Sequence, residues 1–373
     1  MAEPRAEPVG ELAPLTREET EFLSAIALRA FRSVLQHREP IGVISREERR
    51  REPPSDKLYV ASLAFQLPDP TRHSREHRRG GSSSWCPPHS YSTVSFKKDP
   101  PSWEDLPRTV EDFLEESKRA GALPHFVLLN ELAHAFDARN RLEAKWAELA
   151  EAYKVYIIPG TFNCPSEHFS VAPLYCPDPD SREHVLKQNA AIQMKERIRT
   201  PDSRELLIFD TDFGNIVVWI CLDMYDPGLV MKFLNISHRF TGRSRDREIS
   251  LVLVPSYSND DRENVSSCVR TISRFSKTAM VCTNSYLPEK RLESHGFSCG
   301  ERLQPVLEKA YDLPGLKGDL CRATLFGIDL KELQRHQAAN YEANGAFSSA
   351  FSSIIKGGGE SKSGGYSVHN LPD

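Results

Sequence analysis

Short apolar runs alternate with amphipathic stretches through the middle of the chain, and the alternation predicts strands interleaved with helices. KLYVASLAFQ at 57–66 is apolar, aromatic and β-branched enough for a buried strand and marks where the core begins. TVEDFLEESKRAG then places Val110, Phe113 and Leu114 on one helical face and stops at Gly121. Strands are predicted at 125–129 (HFVLL), 155–159 (VYIIP), 206–209 (LLIF), 215–220 (NIVVWI), 251–255 (LVLVP), 279–283 (AMVCT) and 322–330 (RATLFGIDL). Helices are predicted near 137–153, 226–236 and 262–277. A loop crowded with Pro and Cys follows residue 159, and a short apolar-polar segment runs from His184 to Ala191.

The two ends read differently from this centre. Thr16 and Glu19 form a capping box ahead of Leu23, Ile26, Ala27, Ala30, Phe31 and Val34 at helical spacing, which predicts an amphipathic helix. REERRRE at 46–52 and the prolines after it read as a solvated link. Residues 68–103, with RHSREHRRGGSSS, have no periodicity that buries a face and read as a long loop. The last residues, KGGGESKSGGYSVHNLPD, are too rich in Gly and Ser for an ordered core. The expected organisation is an N-terminal extension over 1–55, one α/β domain over 56–335 and a tail over 336–373.

Composition narrows the function. With 48 Lys+Arg against 52 Asp+Glu the net charge is −4, so the positive excess that drives non-specific nucleic-acid binding is missing. The apolar windows are strand-sized, well short of the roughly 20 residues a membrane-spanning helix needs. The first residues lack the basic start and apolar core of a secretory signal, so the expected location is the cytoplasm. Eight scattered cysteines in such a compartment are expected as free thiols.

Three ionisable residues are candidates for chemistry, two of them at the ends of buried strands, where α/β proteins place their sites. Cys221 follows the run Ile216 to Ile220 and precedes a turn into a helix. It is either a small apolar residue or a thiol primed as a nucleophile. Glu131 follows the strand Phe126 to Leu129 and is either a helix-start carboxylate or a general base. Lys187, in HVLKQNAA, is either a solvated surface charge or a buried stabiliser of an oxyanion.

Taken in this order, Glu, Lys and Cys across 57–330 resemble the nitrilase superfamily of carbon-nitrogen hydrolases. LLNELA at 128–133 resembles its strand-then-glutamate motif, with Asn130 where proline is usual. KQNAAIQMKER resembles its lysine motif, with Glu196 at the position of a second glutamate. FDTDFGNIVVWICLDMYDP at 209–227 is the best match to its cysteine motif, and VLVPSYS resembles the strand that follows. Arg270 and Cys282-Thr283-Asn284 resemble its arginine-to-asparagine segment, although Ser273 shows that the usual glutamate is missing. RATLFGIDL resembles the closing strand.

The resemblance implies an α/β fold of four α-β-β-α layers. It implies Cys221 as nucleophile, Glu131 as base, Lys187 and the backbone N–H of Leu222 as oxyanion donors, and Glu196 as the group that orients the lysine or assists proton transfer. It implies a small-molecule amide or related substrate, no cofactor, no metal and a homo-oligomer. Leu222, where nitrilases commonly carry tryptophan, and Asp223 favour amide or carbamoyl substrates over nitriles. The competing reading within this fold is a binding or regulatory module without turnover.

Three other motifs lack their context. Gly296-Phe297-Ser298-Cys299-Gly300 fits the G-x-S-x-G elbow, with Asp329 and His336 following in order, but EKRLESH precedes it instead of an apolar strand. Cys86 and His89 have the spacing of half a zinc site without a second pair. The basic loop from Arg72 to Arg79 lacks repeated aromatic platforms for single-stranded nucleic acid.

Overall fold

The computed structural model describes residues 42–46, 55–65, 105–131, 133, 139–163, 169–178, 182–189, 201, 205–240, 249–257, 262–285, 294–312 and 320–338. The predicted N-terminal helix, the 68–103 loop, the C-terminal segment beyond 338 and Glu196 lie outside these residues. So do the basic loop and the Cys86–His89 pair.

In chain order the elements are β1 (Gly42–Arg46), β2 (Lys57–Phe65), α1 (Asp105–Arg119), β3 (Phe126–Leu129), α2 (Arg139–Tyr153) and β4 (Tyr156–Ile158). Next come β5 (Phe162–Asn163), β6 (Ser170–Tyr175), β7 (Arg182–Leu186), β8 (Glu205–Thr211) and β9 (Gly214–Val218). A single 3₁₀ turn (Cys221–Tyr225) leads into α3 (Pro227–Phe240), followed by β10 (Ile249–Pro255), α4 (Arg262–Ser276) and β11 (Ala279–Thr283). The chain then forms β12 (His295–Ser298), β13 (Glu301–Arg302), β14 (Pro305–Asp312), β15 (Leu320–Asp329) and a helix over 330–338.

These strands build two mixed sheets. One has the order β1-β8-β9-β10-β11-β12-β13, and the other runs β14-β15-β2-β3-β4-β6-β5 with β7 on β6. Period-two alternation decides the layers. In β2, Leu58 and Val60 face the partner sheet, whereas Ala61, Leu63 and Phe65 pack with Val110, Phe113 and Trp146 of α1 and α2. In β10, Leu251 and Leu253 face inward, whereas Val252 and Val254 pack with Phe233, Val265 and Val269 of α3 and α4. Three apolar interlayers therefore separate four layers, α-β-β-α, as expected from the resemblance.

Both sheets have central parallel strands, with β2-β3-β4 in one and β9-β10-β11 in the other. Parallel strands point their C-terminal ends the same way, so β3, β10 and β11 each deliver the residues that follow them to one rim. That rim is where the candidate site forms.

Several strands differ from expectation. β6 contains Pro173, a residue that argues against a strand interior; it falls between the contacts of β6 with β5 and with β4, a gap in the ladder that tolerates a missing N–H. β14 is mostly exposed, with only Leu307 and Tyr311 packed on the core, so its pairing with β15 along its length does most to define it. β1 comes from the predicted extension and adds to the sheet edge by parallel pairing with β8.

Gly296 to Ser298 belong to β12, and Cys299-Gly300 turn antiparallel into β13. This is a hairpin, not the strand-turn-helix a serine elbow requires.

Gly160 follows β4 with φ +94°, and a side chain there would meet the Asn130 carbonyl and Ala133. Gly160→Ala is expected to cost at least about 2 kcal/mol, from left-handed strain plus that collision. Urea unfolding of the two proteins measures it.

Candidate active site

The nucleophile candidate is set by an abrupt change of direction. β9 ends at Val218, Trp219 and Ile220 continue it, and Cys221 then takes φ +48° to open the 3₁₀ turn. A non-glycine residue in this region costs free energy that the surroundings must offset. Asp226 supplies part of the offset one turn later. Its Oδ1 accepts the N–H groups of Gly228 and Leu229 at 2.8 and 3.1 Å, capping α3, and Pro227 occupies the first helical position.

Cys221 is 6% exposed, and two groups contact its sulfur. The Ser256 hydroxyl donates to Sγ at 3.6 Å, and Sγ donates to the Tyr257 carbonyl at 3.8 Å. Ser256 and Tyr257 directly follow β10, so the strand end is the seat of the thiol.

Tyr257 also reaches the second candidate. Its N–H donates to Glu131 Oε2 at 3.1 Å, while the Glu131 N–H donates to the Ser256 carbonyl at 3.3 Å. Glu131 comes from the end of β3 in the other sheet, so these two bonds stitch the sheets together at the rim. Its remaining oxygen, Oε1, accepts Lys187 Nζ at 2.6 Å. Both side chains are buried, with residue exposures of 3% for Glu131 and 2% for Lys187. The surface-charge reading of Lys187 and the helix-start reading of Glu131 are thereby replaced by a buried ion pair beside a thiol.

Asn130, where the resembled motif has proline, secures the glutamate differently. Its Oδ1 accepts the Phe65 N–H at 2.8 Å and its Nδ2 donates to the Glu131 carbonyl at 3.2 Å. One side chain thus ties the end of β2 to the end of β3. Ser273, the other departure, donates to the Thr278 carbonyl at 2.7 Å and accepts the Gly300 N–H at 3.1 Å, joining the end of α4 to the β12–β13 turn.

Sequence reasoning treated Asp223 as a marker of substrate class, and the structure shows it as the link between the lysine and cysteine segments. It accepts the N–H groups of Gln188 (3.0 Å), Asn189 (2.9 Å) and Ile220 (3.2 Å) and the Asn189 side-chain amide (3.1 Å). The residues flanking Lys187 and Cys221 are therefore held by one buried carboxylate. A carboxylate two residues after the cysteine was visible in the sequence, but its partners lie 34 and 35 positions away.

Electrostatics decides the resting protonation of the thiol. Burial, with the Glu131 charge added, pushes Cys221 up to about 12 against the opposing pull of Lys187 and the Ser256 hydroxyl. At neutral pH the sulfur therefore carries its proton. The other described cysteines, at 176, 268, 282, 299 and 321, are free thiols as well, and burial raises Cys268, Cys282 and Cys321.

No family model and no curated protein sequence matches the chain. Solved structures similar to it include an amidase from Nesterenkonia sp., 12% identical with a TM-score of 0.49, the match covering 77% of this chain and 95% of that one. A CN-hydrolase superfamily protein from Xanthomonas campestris, with an arsenic adduct in its active site, is 14% identical with a TM-score of 0.48, covering 76% and 94%.

The described residues thus bring together Glu131, Lys187 and Cys221, three of the four side chains expected at the site. Leu222 immediately follows Cys221 in the 3₁₀ turn, and its side chain is partly buried against the inter-sheet core.

Two measurements test this geometry. Lys187→Met leaves the Glu131 charge buried without its cation and is expected to cost about 3–5 kcal/mol in denaturant unfolding. Burial raises the Asp223 carboxyl from 3.8 to about 7, outweighing Lys187 and the N–H donors that favour its charged form. A raised carboxyl favours the folded state when protonated, so its contribution is full below about pH 4 and is lost as the pH rises through 7. The unfolding free energy of the wild type relative to Asp223→Asn should therefore fall across that window.

Proposed function

We propose that the protein is a cysteine-dependent carbon-nitrogen hydrolase of the nitrilase type, acting on a small amide or carbamoyl compound. The observation that carries this reading is the buried Glu131–Lys187 pair, bridged to the Cys221 sulfur through the backbone of Tyr257. A dry ion pair costs several kcal/mol in desolvation per ion, and an apolar pair of similar volume would pack the rim without that cost. A binding module without turnover has no need of it, whereas a thiol held near pKa 12 needs a neighbouring base.

In the proposed reaction Glu131 takes the thiol proton as Sγ attacks the amide carbon, and the carbonyl π pair moves onto oxygen. Lys187 and the Leu222 backbone N–H stabilise that oxyanion. The oxyanion collapses, the C–N bond breaks, and the proton from Glu131 leaves with the nitrogen as ammonia or amine. Water then attacks the thioester, again with Glu131 as base; the C–S bond breaks and the proton returns to sulfur. The sum is amide plus water giving acid plus amine, with the protein unchanged. Glu196 is proposed to orient Lys187 or assist proton transfer.

Asp223 and Leu222 after the cysteine support the amide or carbamoyl class over nitriles. The proposed setting is the cytoplasm, with the protein as a homo-oligomer. Among the described residues no helix is long and apolar enough to cross a membrane.

Ammonia release from a panel of small amides, carbamoyl compounds and nitriles tests the reading. Cys221→Ala is expected to abolish release, and Glu131→Gln to lower it by at least about 100-fold, the lower end of what positioned acid–base catalysis contributes. Release that survives Cys221→Ala would rule out the thiol as nucleophile.

A further inference from the structure

The chain satisfies most of its buried hydroxyls around the rim. Ser62 bonds to Thr283 and, at 2.5 Å, to Ser294, while Thr283 donates to the Leu128 carbonyl at 3.3 Å. Ser256 donates to Cys221. Against this background two fully buried hydroxyls near the site, Ser285 Oγ and Ser170 Oγ, have no hydrogen-bond partner among the described residues.

Ser285 lies two residues beyond β11. The parallel register places Thr283 beside Pro255, and the Ser256 N–H continues the ladder to the Thr283 carbonyl at 2.8 Å. The ladder ends there, because the Ser285 N–H donates to Asn284 Oδ1 at 2.9 Å; Ser285 lies two residues past Thr283 as Tyr257 lies two residues past Pro255, and Tyr257 contacts both the Cys221 sulfur and Glu131. Ala279 and Val281 face the inter-sheet layer, and the Thr283 hydroxyl meets Ser62 of the opposite sheet, so the end of β11 that leads into Ser285 opens on that layer.

Ser170 opens β6, and its carbonyl accepts the Lys187 N–H at 2.9 Å. Ala172 and Leu174 of β6 face the inter-sheet layer, which assigns Ser170 the same face by parity. Each hydroxyl therefore adjoins one arm of the Glu131–Lys187–Cys221 arrangement.

A buried hydroxyl left without a partner costs about 1–3 kcal/mol, and an alanine would remove that cost in a single step. Ser117 and Thr271 also lack partners, but they lie within α1 and α4 under the outer layers. We propose that Ser170 and Ser285 are substrate-binding hydroxyls whose partners arrive with the ligand. The substrate is then an amide or carbamoyl compound whose acyl part carries its own hydrogen-bonding group, not a plain alkyl chain. This rests on Cys221 being the nucleophile, and the experiment separates the two.

The test is protection of Cys221 from iodoacetamide, followed by peptide mass spectrometry on the full-length protein. Propionamide is compared with lactamide, 3-hydroxypropionamide and malonamide as protectants. At least one polar amide is expected to protect the wild type at about 10-fold lower concentration than propionamide, the effect of one neutral hydrogen bond. Ser285→Ala and Ser170→Ala should each shrink that gap at least about threefold while leaving protection by propionamide unchanged. Their urea midpoints should be unchanged or higher, because each variant removes an unpaired buried hydroxyl.

Equal protection by all four amides in the wild type overturns the proposal. So does a variant that keeps the full gap, or one that lowers the urea midpoint with the gap intact, which marks a structural hydroxyl. If wild-type Cys221 labels no faster than the buried Cys268, the nucleophile reading falls and takes this proposal with it. A normal wild-type rate without a gap removes the two serines alone.

Discussion

The rim of the sandwich depends on one buried ion pair. Glu131 and Lys187 have left water together, and neither could remain there ionised without the other. Their cost explains much of the surrounding construction. The Tyr257 N–H fills the second oxygen of Glu131, Asn130 holds its main chain, and Asp223 grips the two residues after Lys187. Both members of the pair come from one sheet, and the bonds of Glu131 to Ser256 and Tyr257, with those of Asp223 to Gln188 and Asn189, tie that sheet to the other at the rim.

The same pair shapes the chemistry of the thiol. Burial alone makes the Cys221 thiolate unfavourable, and the glutamate charge adds to this. Lys187 and Ser256 pull the other way without overcoming it. In the proposed reaction Glu131 supplies the base that this protonated thiol needs.

The two residues that depart from the resembled motifs each find hydrogen-bond partners of their own. Proline before a strand-end glutamate stiffens the backbone; Asn130 obtains a comparable restraint from two side-chain hydrogen bonds. Ser273 is enlisted to close the gap between α4 and the β12–β13 turn. Both residues are completely buried and both are satisfied, which is the condition for keeping a polar side chain inside.

By itself the sequence determined the central α/β alternation, because strands buried on both faces must be continuously apolar and the helices over them must be one-sided. It also placed Glu131 and Cys221 at strand ends, since an apolar run that stops at an ionisable residue has reached the edge of its layer. Strands such as β14, β6 and β1 were not legible. Their existence comes from hydrogen bonds to a neighbour already in place, and Pro173 or a mostly exposed strand hides them from any pattern of hydrophobicity. Only the tertiary structure decided that Lys187 is buried against Glu131, that Asp223 spans two segments, and that the Ser170 and Ser285 hydroxyls find no partner among the described residues. Each of these is a relation between residues far apart in the chain, and the free energy of a buried charge or hydroxyl depends on what the fold brings to it.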